Sequence, residues 1–224
     1  MAIAAAMAAI ATPLPAVAQT ARELLTQAAF QDRSQPAALA RVDRARALAL
    51  AAVQRMPDDQ DAAVIAAGAL AYRAKLTGSR AEAIEARKQL QAVAARFPRN
   101  AEAQIGLGGW HLGVIAKVGR IVGRAMAGAQ KGAGLAATDR AVTLGGNRAF
   151  FAGLAGLLRI EADPADPRGR TLLDQATQAP TPTVLDRIIQ RNAGAVLASL
   201  KQGDAKTARA LADRLLPFGW YDDQ

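Results

Sequence analysis

"KQGDAKTARALADRLLP", residues 201–217, decides how the chain is read. Gly203-Asp204 makes a polar turn, an amphipathic helical run follows, and Pro217 stops it, because proline has no N–H to continue a helix. The stretch is half of a helical hairpin. Similar stops recur upstream: "AAVQRMPDD" at 51–59, "AVAARFPRN" at 92–100 and "RAVTLGGN" at 140–147. Each is a helix end followed by a breaker, at Pro57, Pro98, Gly146 and Pro217. Between the breakers the pattern predicts ten helices, at 20–31, 36–55, 60–76, 79–96, 100–127, 132–144, 147–160, 168–178, 183–201 and 204–216. Short turns between them imply stacked antiparallel pairs, an all-α fold. No long alternating run argues for a sheet.

The composition agrees. Of 224 residues, 51% are hydrophobic but only 4% aromatic, and alanine supplies about a quarter. Such a core is built from many close helix contacts rather than bulky side chains. Counting back from the breakers places small residues at Ala45 and Ala52, Ala86 and Val93, Ala141, and Ala205 and Ala212. Leu107-Gly108 adds a Leu-Gly pair in a first helix.

On these residues the chain resembles the tetratricopeptide-repeat family. Its unit of about 34 residues is a helix pair with small residues at the crossings and a closing proline. The resemblance covers about residues 20–217. The breakers are spaced wider than that unit, and the family's large first-helix aromatic is mostly absent, so the repeats are degenerate. The resemblance implies a TPR-like α-solenoid over 19–224 whose concave face binds a protein or peptide without turnover. A narrower form, by analogy, serves an envelope or transporter assembly.

The first twenty residues, "MAIAAAMAAIATPLPAVAQT", carry no charge and end in Ala16-Val17-Ala18. They match a signal peptide's apolar region and small-residue cleavage site, predicting cleavage after Ala18 and a periplasmic or secreted protein. No Lys or Arg follows Met1, which the signal-peptide reading meets with a true start upstream or a wrongly assigned one; the alternative reading is an alanine-rich helix of the fold. It is too short and proline-broken to span a bilayer.

The unit beginning near Ala101 is too long. The surplus lies near 109–134, "GWHLGVIAKVGRIVGRAMAGAQKGAG". Leu107, Trp110, Val114, Val118, Ile121, Val122 and Ala125 recur at helical spacing on one side. Lys117, Arg120 and Arg124 form a basic ladder beside them, which Lys131 continues if the helix persists. Three readings stand open. The insertion is an elongated repeat helix with a solvated basic side, a binding surface for an acidic ligand or protein, or an amphipathic helix on an anionic membrane. The candidate binding residues are Trp110, His111, Lys117, Arg120, Arg124 and Lys131.

Chemistry finds little support. There is no cysteine and one histidine, so thiolate sites and a Ser-His-Asp triad beyond His111 are excluded. His111 reads more readily as a packed residue than a catalyst. "EADPADPRGR" gathers Glu161, Asp163 and Asp166, but its prolines mark a solvated, capping turn rather than a calcium loop. "GLGGWHLG" follows no strand and makes a poor phosphate loop. The expectation is a non-enzyme with no cofactor and no metal. The net charge of +9 is compatible with acidic partners or lipid, and the scarcity of aromatics disfavours nucleic acid. The terminal "FGWYDDQ" groups Phe218, Trp220 and Tyr221, expected to close the end of the array.

Overall fold

The computed structural model describes residues 19–223. The expected signal peptide at 1–18 lies outside them. The described residues form eleven α-helices and a closing 3-10 turn, with no strand. The helices are α1 (Ala21–Phe30), α2 (Gln35–Arg55), α3 (Gln60–Thr77), α4 (Arg80–Arg96), α5 (Ala101–Val118), α6 (Arg120–Ala127), α7 (Lys131–Leu144), α8 (Ala149–Ala162), α9 (Pro167–Gln178), α10 (Val184–Lys201) and α11 (Ala205–Leu215).

The starts are set locally. Thr20, Asp59, Ser79, Asn100, Asp166, Thr183 and Asp204 each accept a hydrogen bond from a first-turn backbone N–H. That satisfies donors that a helix start leaves open. The polar punctuation of the sequence is thus converted directly into helix boundaries.

The helices stack in pairs: α1 with α2, α3 with α4, α5 with α7, α8 with α9, and α10 with α11. First helices of successive pairs touch, giving the row α1, α3, α5, α8, α10. Each second helix also packs on the first helix of the next pair, the arrangement of a helical-repeat solenoid. Ala45, Ala86, Ala141 and Ala212 are fully buried at the crossings. Ala205 is exposed instead, and Ala208 takes the inward place on α11.

The α5–α7 crossing shows why small residues matter. A Cβ on Gly108 would lie 2.6 Å from Thr138 Cγ2 and 2.9 Å from the Gly134 carbonyl oxygen. Both are closer than carbon tolerates, so α5 comes this close to α7 only because Gly108 carries no side chain.

Two features differ from the sequence reading. The helix expected over 100–127 breaks at Gly119, whose φ of 82° and ψ of 161° are open to glycine alone. The break separates α5 from α6 and raises the helix number to eleven. The last helix also does not simply continue the stack. It packs on α8 as well as α10, on the side of the first helices.

The tail goes further, back to the start of the chain. Phe218 is fully buried among Ala28, Ala29, Ala38, Val42, Ala69 and Leu76. Its backbone N–H donates to the Ala29 carbonyl at 3.0 Å, and Lys75 Nζ donates to the Pro217 carbonyl at 2.9 Å. The ring meets Tyr72 edge-on, with centroids 5.0 Å apart. The aromatic tail therefore does not close the far end of the array as expected. It joins the last helix to the first three.

Candidate functional site

The inserted stretch is built around α6. Gly119 turns the chain, and eight residues of helix follow to Ala127. Gly128 ends the helix in the left-handed region, with φ of 73° and its N–H returned to the Arg124 carbonyl. Two arginines of α4 hold that end. Arg80 Nε donates to the Met126 carbonyl at 2.9 Å, and Arg87 Nη1 donates to the Gly128 carbonyl at 3.3 Å. Positive charge at a helix C-terminus also suits its dipole.

The orientation of α6 is the unexpected part. Gly123 and Ala127 face the protein and are buried. Ile121, Val122 and Met126 point outward, Ile121 with 82% of its surface exposed, whereas Val118, the last residue of α5, is partly exposed with its Cγ2 next to Gly123 on the inner side of α6. Ala125 is exposed among them. Ile121, Val122, Ala125 and Met126 lie at i, i+1, i+4 and i+5 of α6, one apolar stripe. The stripe expected to run unbroken from Leu107 to Ala125 is thus split. Its first half enters the core, and its second half faces solvent.

Of the candidate residues, Trp110 and His111 are core residues. Trp110 sits in a cluster with Ala67, Leu70, Ala86, Leu90, Ala127 and Ala129. His111 is buried, with its ring 5.1 Å from that of Trp110. Its Nδ1 accepts the Gln130 backbone N–H at 3.3 Å, fastening the connection between α6 and α7. Burial, and then the nearby Arg87 guanidinium, hold its imidazole below the ordinary histidine value. Lys117, Arg120 and Arg124 are exposed beside the stripe. Lys131 does not continue their ladder, since α6 has ended and Lys131 opens α7, half-buried. The surface therefore combines Arg120 and Arg124 with the outward stripe, to which the sequence reading did not assign Met126. A signal for this was present in the glycines at 119 and 128, which frame α6 as a helix of its own, and in Gly123 and Ala127, the smallest residues on its inner side.

A second polar feature lies between α5, α8 and α11. A cavity of about 310 Å³ is lined by Ala116, Glu161, Lys206, Arg209, Ala210 and Asp213. Glu161 is buried at its wall, and its Oε2 has no hydrogen-bond partner. Burial, opposed by Lys75 and aided by Asp213, raises its carboxyl to about 8. The turn expected to be solvated at 161–166 is so only in part: Asp163 is exposed and Asp166 caps α9, but Glu161, in the last turn of α8, lies inside the protein. A cleft of about 460 Å³ also lies between α1, α10 and the C-terminal segment, with Arg33, Arg191, Arg214 and Asn192 in its wall.

Among the described residues there is no group of three or more His, Asp or Glu placed to hold a metal ion. None of their helices is long and apolar enough to cross a membrane. The fold and this surface define a helical-repeat solenoid with α11 and the segment after it laid over the row of first helices and, among the described residues, an amphipathic helix left uncovered. Comparison with family models, curated proteins and solved structures finds no match.

Proposed function

We propose that this protein is a non-catalytic, exported helical-repeat scaffold that serves an envelope assembly and docks through α6. The observation that carries the reading is the contrast between two faces. The row of first helices, where a solenoid offers its groove, carries α11 and the tail of the same chain. The apolar side of α6 carries nothing among the described residues, although its backbone is anchored by Arg80 and Arg87. Ile121, Val122 and Met126, held outward on α6, form the kind of apolar patch that marks an interaction site. The tetratricopeptide resemblance supports the same reading through the buried alanines and the paired stack.

Export rests on the uncharged run that ends at Ala18. Fractionation of producing cells tests both parts. The expected outcome is a mature chain beginning at Gln19 that sediments with the envelope, and release of the Ile121→Ser/Val122→Ser variant into the soluble fraction. An intact N-terminus would remove export, and equal distribution of variant and wild type would remove docking by α6.

A further inference from the structure

We infer that the surface α6 docks on is an anionic lipid bilayer, with Ile121 and Val122 entering between headgroups and Arg120 and Arg124 lying against the lipid phosphates. The inference rests on the reading of α6 as the docking element and names its partner.

Charge comes first. Between Glu102 and Asp139 the chain carries no carboxylate, so α6 and the residues joining it to α5 and α7 contribute charge of one sign. Neither Arg120 nor Arg124 has an ion-pair partner among the described residues. A single-sign basic flank along an aliphatic stripe is what an anionic interface accepts: the stripe enters the acyl boundary while the guanidinium groups stay at the headgroups.

Shape comes second. Ile121, at 82% exposure, stands on a convex ridge about 12 Å long, two helical turns. A bilayer receives a convex ridge with no matching groove, whereas a protein partner must supply one. A second copy fits poorly, because a two-fold contact through this ridge crowds Arg120 and Arg124 against their own equivalents. The stripe also lacks the aromatic anchors that concentrate binding energy at protein interfaces. With only three large apolar side chains, attachment is shallow and reversible.

Co-sedimentation of the purified full chain with vesicles tests this. One set is phosphatidylcholine alone, and the other contains one-third phosphatidylglycerol. Binding is expected only to the anionic set, and is expected to fall steeply toward about 1 M salt, where the screening length is about 3 Å. Ile121→Ser/Val122→Ser and Arg120→Gln/Arg124→Gln each lower it by about tenfold or more. All four side chains are exposed, so both variants keep the wild-type melting temperature. A photoactivatable residue at position 121 then reports the occupant. An adduct with lipid supports the inference. A cross-linked dimer, an adduct with residues 1–18 of the same chain, or equal binding by wild type and both variants overturns it. Absence of vesicle binding by a protein that still needs Ile121 and Val122 for envelope sedimentation overturns the lipid assignment alone, and leaves α6 as a docking element for a protein.

Discussion

Gly108 and Gly113 occupy the same helix, α5, and differ in what a methyl group would meet. At Gly108 a Cβ falls 2.6 Å from Thr138 Cγ2, 2.9 Å from the Gly134 carbonyl oxygen and 3.0 Å from the Thr138 nitrogen. The last two are backbone atoms and cannot rotate away. Thr138 is itself pinned by its hydroxyl, which donates to the Leu135 carbonyl at 2.9 Å. Gly108→Ala therefore forces α5 and α7 apart. Overpacking of this kind costs about 1–3 kcal/mol, against about 1 kcal/mol gained in helix propensity. With backbone on both sides the cost lies at the upper end, and the net loss is about 1–2 kcal/mol. At Gly113 nothing lies within 4 Å of the added carbon. Gly113→Ala keeps only the propensity gain of about 1 kcal/mol. In a domain of this size 1 kcal/mol moves the melting temperature by about 2–4 °C. Thermal unfolding followed by circular dichroism should show the first variant melting several degrees lower and the second about 2–4 °C higher. If Gly108→Ala melts at or above wild type, the close crossing of α5 and α7 is not what holds these pairs together.

Phe218→Ala empties a fully buried aromatic site and should cost about 3–5 kcal/mol by denaturant titration, with faster hydrogen exchange in α11 as the tail lets go. Asp186 is fully buried and links α8 to α10. It accepts from Arg148 at 2.9 Å and 3.3 Å, from the Phe150 N–H at 3.1 Å and from the Thr183 hydroxyl at 2.6 Å. Burial pushes its carboxyl up, but these donors outweigh it and hold the group below the ordinary aspartate value. Its contribution is therefore present above that ordinary value and lost as pH falls through the lower folded one, and Asp186→Asn should cost about 2–4 kcal/mol at neutral pH. Glu161 has the opposite sign: its carboxyl is raised from 4.5 to about 8, so its contribution is whole below 4.5 and fades as pH rises to 8. In that window wild type should lose up to about 1.4 kcal/mol per pH unit relative to Glu161→Gln, and parallel pH profiles for the two proteins would refute the assignment.

The helices were legible because their signals are local. Asp59, Ser79, Asn100 and Thr183 cap the residues that follow them directly, and Pro57, Pro98 and Pro217 stop those before. Buried alanines at 45, 86, 141 and 212 were legible for a related reason, since crossings recur at fixed distances from those stops. The break at Gly119 was not, even though glycines at 119 and 128 frame α6. The apolar period runs through it in phase, and glycine inside a helix is usually tolerated. Hence Trp110 and Val122 were placed on one side when one is core and the other faces solvent. The return of α11 was hidden as well. It depends on the contact of Phe218 with Ala29, far apart in sequence, and nothing near Phe218 names that partner. Glu161 looked solvated because its neighbours Asp163 and Asp166 sit in a turn, while it still belongs to the last turn of α8.

Amide hydrogen exchange across the chain, with and without anionic vesicles, tests the claim that α6, and not the row of first helices, is the working surface. The account predicts slow exchange in α11 under both conditions and new protection confined to about residues 118–126 when vesicles are present. New protection along α1, α3, α5, α8 and α10, together with release of α11, would contradict it.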